Sequence, residues 1–287
     1  MKKRNWISLL LIVCCLGVLI CYRTMDRIQT DSKPPVITVE EQLLELSVQA
    51  PRKDLLAGVT ARDDRDGDVT SSLVVESVRM LGKDGQVTVT YAAFDRAGNV
   101  AKQTREVRYT DYGSPRFSLS KPLMFVQNQS RDVLSAISAV DPLDGNITHR
   151  IRAAVMDEVT SGYNGSYRVQ FRVTNSLGDT VELVLPVEIY TPGLYEANLT
   201  LTEYMIYLKQ GDSFNARNYL DTFTVGREET SLLGGMPDNL KLTVSGKVET
   251  GVPGIYVVDY EVSHRTDGNS NKQPYTAYSR LIVIVEG

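Results

Sequence analysis

Beyond residue 22 this chain has no cysteine: Cys14, Cys15 and Cys21 are all that it carries. No disulfide can therefore staple the remaining length. A eukaryotic secreted β-sandwich usually holds an inter-sheet pair, so the lack of one points to a bacterial exported protein whose modules rest on their cores. Histidine is almost as scarce. His149 and His264 lie far apart with no cysteine near either, which excludes a zinc site of the usual ligand set. The sequence has no G-x-S-x-G, H-E-x-x-H, phosphate-binding loop or dinucleotide glycine pattern, and we read it as no enzyme. Carboxylate pairs of the glycosidase kind leave no spacing signature, so the reading rests on the motifs that are missing. Basic charge is also in deficit. Lys2, Lys3 and Arg4 are the only charges before Arg23, and taking those three from 31 basic residues leaves 28 against 35 acidic ones, about −7. A nucleic-acid binder needs the opposite balance.

One long apolar run is present, from Trp6 to Tyr22, preceded by the three N-terminal positive charges. A cleaved signal would need small residues before the cut, and none stands near Leu19 to Thr24. A lipoprotein signal would need a small residue before its cysteine, but Val13 precedes Cys14 and Ile20 precedes Cys21. An uncleaved signal anchor fits best. It gives a cytoplasmic tail over 1–5, a transmembrane helix over 6–22 and a stalk over 23–34, with the rest outside a single-pass cell membrane.

The remainder is built on a motif written twice, about 78 residues apart: GVTARDDRDGDVT from Gly58 to Thr70 and AISAVDPLDGNIT from Ala136 to Thr148. Each is followed by a strand-like run and a Gly-containing turn, YAAFDRAGN at Tyr91–Asn99 and FRVTNSLGD at Phe171–Asp179. The run from Tyr167 to Val173 alternates cleanly, with Tyr167, Val169, Phe171 and Val173 on one face and Arg168, Gln170 and Arg172 on the other. A period of two marks a half-buried antiparallel strand. The spacing gives three modules, over 35–110, 114–190 and 193–287. The third lacks the acidic loop, and the Gly-rich segment from Gly226 to Asn239 stands in its place.

The pattern V-T-A-x-D-x-x-D-G-D-(V/I/L)-T followed by Y-x-x-x-D-x-x-G-N resembles the bacterial immunoglobulin-like repeat of surface proteins, a domain type also appended to some crystal toxins. The first module carries it from Gly58 to Thr70 and again at Tyr91, Asp95, Gly98 and Asn99. The second carries Asp141, Asp144, Gly145 and Thr148, then Asn175 and Gly178, and departs at Asn146. The third matches only in its late strands and turn. The resemblance implies an all-β chain of tandem immunoglobulin-like sandwiches, seven strands in two sheets each. It implies no catalysis, and it leaves function open.

Two groups of residues are candidate sites. Asp64, Asp66 and Asp68 alternate around Gly67 and supply the hard oxygens that calcium takes. Equally, Asp side chains in such a loop cap backbone N–H groups. Arg65 opposes a cation there, and only Asp141 and Asp144 remain in the second copy. Asp95 and Asn99 read as hairpin residues, with Gly98 supplying positive φ. The second group lies in the third module, where Tyr275 and Tyr278 beside a polar stretch, with Gly234 and Gly235 of the Gly-rich loop, form a candidate partner surface. The expected function is adhesion or ligand binding at the cell surface, with a surface or envelope protein or a glycan as partner and the membrane held by the N-terminal helix. The alternative is a non-catalytic spacer or assembly subunit of an envelope complex.

Overall fold

The computed structural model describes residues 10–22, 31–40, 43–82, 84–128, 132–157, 164–191, 197–264 and 275–287. The tail at 1–5, the start of the apolar run, the stalk at 23–30 and the joint at 192–193 lie outside the described residues. One expectation fails at the N-terminus. The described helix there covers residues 10–22, thirteen residues, and no helix among the described residues is long and apolar enough to cross a membrane. The single-pass anchor, and the localisation that depended on it, are not supported. A hydropathy window sees composition, whereas a span also needs helical length.

The chain divides into two compact units, Met1–Gly113 and Ser114–Gly287. The first unit is a sandwich of two sheets. Val36–Val39, Val59–Asp63 and Gly67–Asp68 form the smaller. The larger runs in the order Leu43–Leu46, Val100–Tyr109, Gln86–Phe94, Val74–Met80, with its first pair parallel and the others antiparallel. Alternation dictates which side faces in. Val87, Val89, Tyr91 and Ala93 share one face of a single strand and are all fully buried, while the intervening Thr88 and Thr90 are less so. Burying each such valine contributes about 1.5–3 kcal/mol.

The second unit repeats this plan twice. Arg116–Leu119, Ile137–Asp141 and Gly145–Asn146 form one small sheet. Its partner sheet orders Arg152–Val155, Gly165–Thr174, Thr180–Tyr190 and Met124–Val126, the last pair parallel. Then Ala197–Leu201, Leu220–Val225 and Glu228–Ser231 form a third small sheet. Met205–Lys209, Thr276–Glu286, Gly254–His264 and Leu240–Ser245 form the last large one. Each repeat thus starts in the small sheet and crosses to run parallel to its own final strand, the layout of an immunoglobulin-like sandwich. Part of the segment read as a Gly-rich loop is strand: Glu228–Ser231 pairs antiparallel with Thr222–Val225 across a turn at Gly226.

The two sandwiches of the second unit share buried side chains. Met205, Ile282 and Ile284 join the cluster built on Phe117, Phe171 and Val187. The Tyr207 hydroxyl accepts from Phe117 N at 3.0 Å, and the Arg116 guanidinium lies 4.9 Å from the centre of the Tyr207 ring. Arg116 also bonds both carboxylate oxygens of Glu286, at 2.7 and 2.8 Å.

Candidate functional site

The acidic motif is a hairpin. Asp63 ends its strand, Gly67 takes φ 76°, and the chain returns. Asp63 Oδ1 accepts from Arg65 N at 2.8 Å and Asp66 N at 2.9 Å, which closes the turn. Those backbone donors, Asp66 first and Arg65 next, hold the Asp63 carboxyl below its ordinary pKa, so it is charged at neutral pH.

A second hairpin abuts the first. Asp95 follows the strand Gln86–Phe94, and Gly98 takes φ 88°. Asp95 Oδ1 accepts from Asn99 N at 2.8 Å and its Oδ2 from Asn99 Nδ2 at 2.7 Å, as hairpin chemistry requires. Asn99 Nδ2 also lies 3.2 Å from Asp31 O and 3.3 Å from Lys33 O, which draws the lead-in segment onto this turn. Asp66 Oδ2 accepts from Arg96 N at 2.8 Å and locks the two hairpins together.

The carboxylates that converge are accordingly not those whose spacing pointed to calcium. Asp64 pairs with Lys33 Nζ at 2.6 Å. Asp66 holds Arg96. Asp68 Oδ1 accepts from Thr70 N at 2.9 Å, and in the second copy Asn146 Oδ1 accepts from Thr148 N at 3.0 Å. A neutral amide does the work of Asp68, which is capping work. Among the described residues, the acidic side chains that bring an oxygen each within 4.8 Å of one another are Asp31, Asp63 and Asp95. Asp63 is 4% exposed and Asp95 8%. Asp63 Oδ2 is buried with no hydrogen-bond partner among the described residues. Sequence spacing missed this set because Asp31, Asp63 and Asp95 stand 32 residues apart each time and meet only through the packing of the sandwich. The motif residues Asp63 and Asp95 were visible as strand ends, but Asp31 left no signal.

In the second copy the same hairpins meet. Asp141 Oδ1 accepts from Leu143 N and Asp144 N at 2.9 and 2.8 Å. Its Oδ2 accepts from Asn175 Nδ2 at 3.0 Å. Asp144 bonds Ser176 N and Arg150 Nη1 at 2.7 and 2.6 Å. Burial acts to raise the Asp144 pKa, but the Ser176 bonds and the Arg150 charge outweigh it and leave it lowered.

The second unit also carries a groove of about 390 Å³ that draws on both of its sandwiches. Tyr190 and Tyr278 meet edge to face at its wall, ring centres 6.2 Å apart. Asn164, Glu188, Asp259 and Glu261 contribute oxygens. Arg280, 7% exposed, bonds Asp259 through Nε at 2.6 Å and lies 3.5 Å from Glu188, while its Nη1 has no partner among the described residues. Of the partner residues expected from sequence, Tyr278 lines this groove. Tyr275 lies elsewhere, edge-on to His264 at 5.7 Å. Gly234 and Gly235 follow the small-sheet strand, where Gly235 N donates to Leu232 O at 3.1 Å.

No family model matches the chain. It is similar to the pesticidal crystal protein Cry22Aa of Bacillus thuringiensis, 25% identical over 239 residues, which cover 82% of this chain and 31% of that protein. It is also similar to an uncharacterized 81.3 kDa protein of Acholeplasma phage L2, 26% identical over 190 residues, 60% of this chain and 26% of the relative. The chain thus spans a third or less of the curated relatives it matches. Among solved structures, the extracellular domain of protocadherin gamma-B4 aligns over 89% of this chain and 50% of its own at 12% identity and a TM-score of 0.21. The CBM51-2 and INT domains of Clostridium perfringens ZmpB, in complex with GlcNAc, align over 88% and 41% at 14% identity and a TM-score of 0.23. The fold assignment rests on the strand order above.

Proposed function

We propose that this chain is a non-catalytic binding protein of the bacterial immunoglobulin-like repeat type, and that it holds a glycan in the groove of its second unit. The observation that carries this reading is the composition of the groove. The Tyr190–Tyr278 pair offers an aromatic wall for the apolar face of a sugar ring. Glu188, Asp259, Glu261 and Asn164 offer acceptors for its hydroxyls. A few polar groups converging on an aromatic surface are what a small-ligand site requires.

The test is retention of the purified full chain on immobilised cell-envelope and host glycans, with Tyr278→Ala alongside. Tyr278 is 42% exposed, so its truncation spares the core. Saturable retention by the parent and at least a tenfold loss in the variant is the expected result. Retention only on protein targets would replace the glycan by a protein partner. A folded chain retained on nothing would leave the spacer role, which the shared core of the second unit favours.

A further inference from the structure

We infer that the first unit binds one calcium ion through the carboxylates of Asp31, Asp63 and Asp95. Two independent observations point to a cation. The three carboxylates bring their oxygens within 4.8 Å of one another, two of them on residues more than nine-tenths buried. Like charges at that range repel, the more so out of water. In addition, Asp63 Oδ2 is buried with no hydrogen-bond partner among the described residues, a state that proteins avoid unless something fills it.

The second copy of the motif shows what satisfies that oxygen where no cation is called for. Four residues after the buried ring of Tyr91 stands Asp95, and four after that of Phe171 stands Asn175. Asn175 Nδ2 donates to Asp141 Oδ2, the counterpart of the partnerless oxygen, at 3.0 Å. The third member is missing there too. Asp111, which precedes the second module's Pro115 as Asp31 precedes Pro35, is engaged inside the first unit by Val48 N and the Ser47 hydroxyl, both at 2.7 Å. At the buried contact one copy therefore sets Asp63 against Asp95, with Asn99 Nδ2 bonded to Asp95, where the other sets Asp141 against the Asn175 amide, with Asp179 at the position of Asn99.

The donor set selects the ion. Converging oxygens with no imidazole or thiolate suit a hard cation rather than zinc or copper. Asn99 donates its amide nitrogen to Asp95 Oδ2 and to the lead-in backbone, which leaves that oxygen's second lone pair for an ion. Carboxylates from two hairpins and an irregular lead-in segment suit the loose geometry of calcium better than the strict octahedron of magnesium. Arg65 is the competing charge. Its Nε lies 3.9 Å from Asp31 Oδ2 on a half-exposed side chain, beyond hydrogen-bond range.

The test is calorimetric titration of the EDTA-stripped full chain with calcium, magnesium and zinc chlorides, together with thermal melts in EDTA and in calcium. We expect one calcium site per chain, magnesium at least tenfold weaker, and a melt that rises with calcium. Asp95→Asn brings to this turn the amide that Asn175 supplies in the second repeat, while keeping Asn99 where that repeat has Asp179. It is expected to weaken calcium at least tenfold. Asp31→Asn, on the lead-in segment, weakens calcium without touching the strands and serves if Asp95→Asn does not fold. A folded parent that takes up no calcium, or an Asp95→Asn chain that binds as the parent does, overturns the assignment.

Discussion

In the first copy of the acidic motif Asp63 faces Asp95, and in the second Asp141 faces Asn175. Around that point the two copies share several bonds, although Asn99, which donates to Asp95 Oδ2, stands where the second copy has Asp179. Thr70 Oγ1 and Thr148 Oγ1 each accept a backbone N–H, from Ala61 and Ala139, at 3.1 Å. Asp66 and Asp144 each reach across to the neighbouring hairpin, to Arg96 N and Ser176 N. The scaffold is therefore indifferent to whether the central contact is acid to acid or acid to amide. The third repeat removes that contact altogether: four residues after its buried Tyr260 stands His264, packed edge-on against Phe223 and Tyr275.

The strongest way to break this comparison is to convert the second copy into the first. Asn175→Asp replaces the donor to Asp141 by a second carboxylate in a place where the two residues are 5% and 1% exposed. Two charges would face each other, with the buried Asp179 four residues on and Asp111 committed to Val48 and Ser47. Leaving a buried charge uncompensated costs about 3–5 kcal/mol. Denaturant unfolding of the full chain should show that loss, and calcium should restore little of it. A variant as stable as the parent would mean that the Asn175 amide is dispensable and that the contrast between the copies has another origin.

A smaller effect separates the copies at the ring itself. The Tyr91 hydroxyl donates to Leu55 O at 2.7 Å from a fully buried position. The second copy has Phe171 there, also fully buried, and the third has Tyr260, whose hydroxyl donates to Ala216 O at 2.9 Å. Tyr91→Phe strands the Leu55 carbonyl and should cost about 1–2 kcal/mol. Phe171→Tyr forces an oxygen into a packed core and should cost about 1–3 kcal/mol. Both are read from the midpoint of denaturant unfolding. A neutral Phe171→Tyr would show that the second copy also holds an acceptor in reach.

How much of this could be read from the chain follows from where the information sits. Alternation placed Tyr167, Val169, Phe171 and Val173 on one face, and all four are buried, because strand geometry is local. The turn glycines were legible for the same reason, as was the hairpin role of Asp95 and Asn99. The groove as a whole was not legible. Tyr278 was singled out, but Arg280 looked like one more strand charge until sandwich packing buried it. The carboxylate cluster was not legible, since its members come from a lead-in segment and two hairpins whose approach is a property of the packed sheets. The anchor expected over 6–22 is not supported, since no helix among the described residues is long and apolar enough to cross a membrane.

The smallest predicted effect distinguishes spacing from convergence. Asp64 and Asp68 stand in the alternating set that sequence spacing offers to calcium, yet one pairs with exposed Lys33 and the other caps Thr70, as the amide of Asn146 does for Thr148. Asp64→Asn should therefore leave calcium affinity within about twofold of the parent, the residual change coming from the loss of one nearby negative charge through solvent. Asp68→Asn should do the same, since Asn keeps the acceptor that Thr70 N uses. The same calorimetric titration reads both. A tenfold loss in either would return the ion to the alternating loop and take it away from Asp31, Asp63 and Asp95.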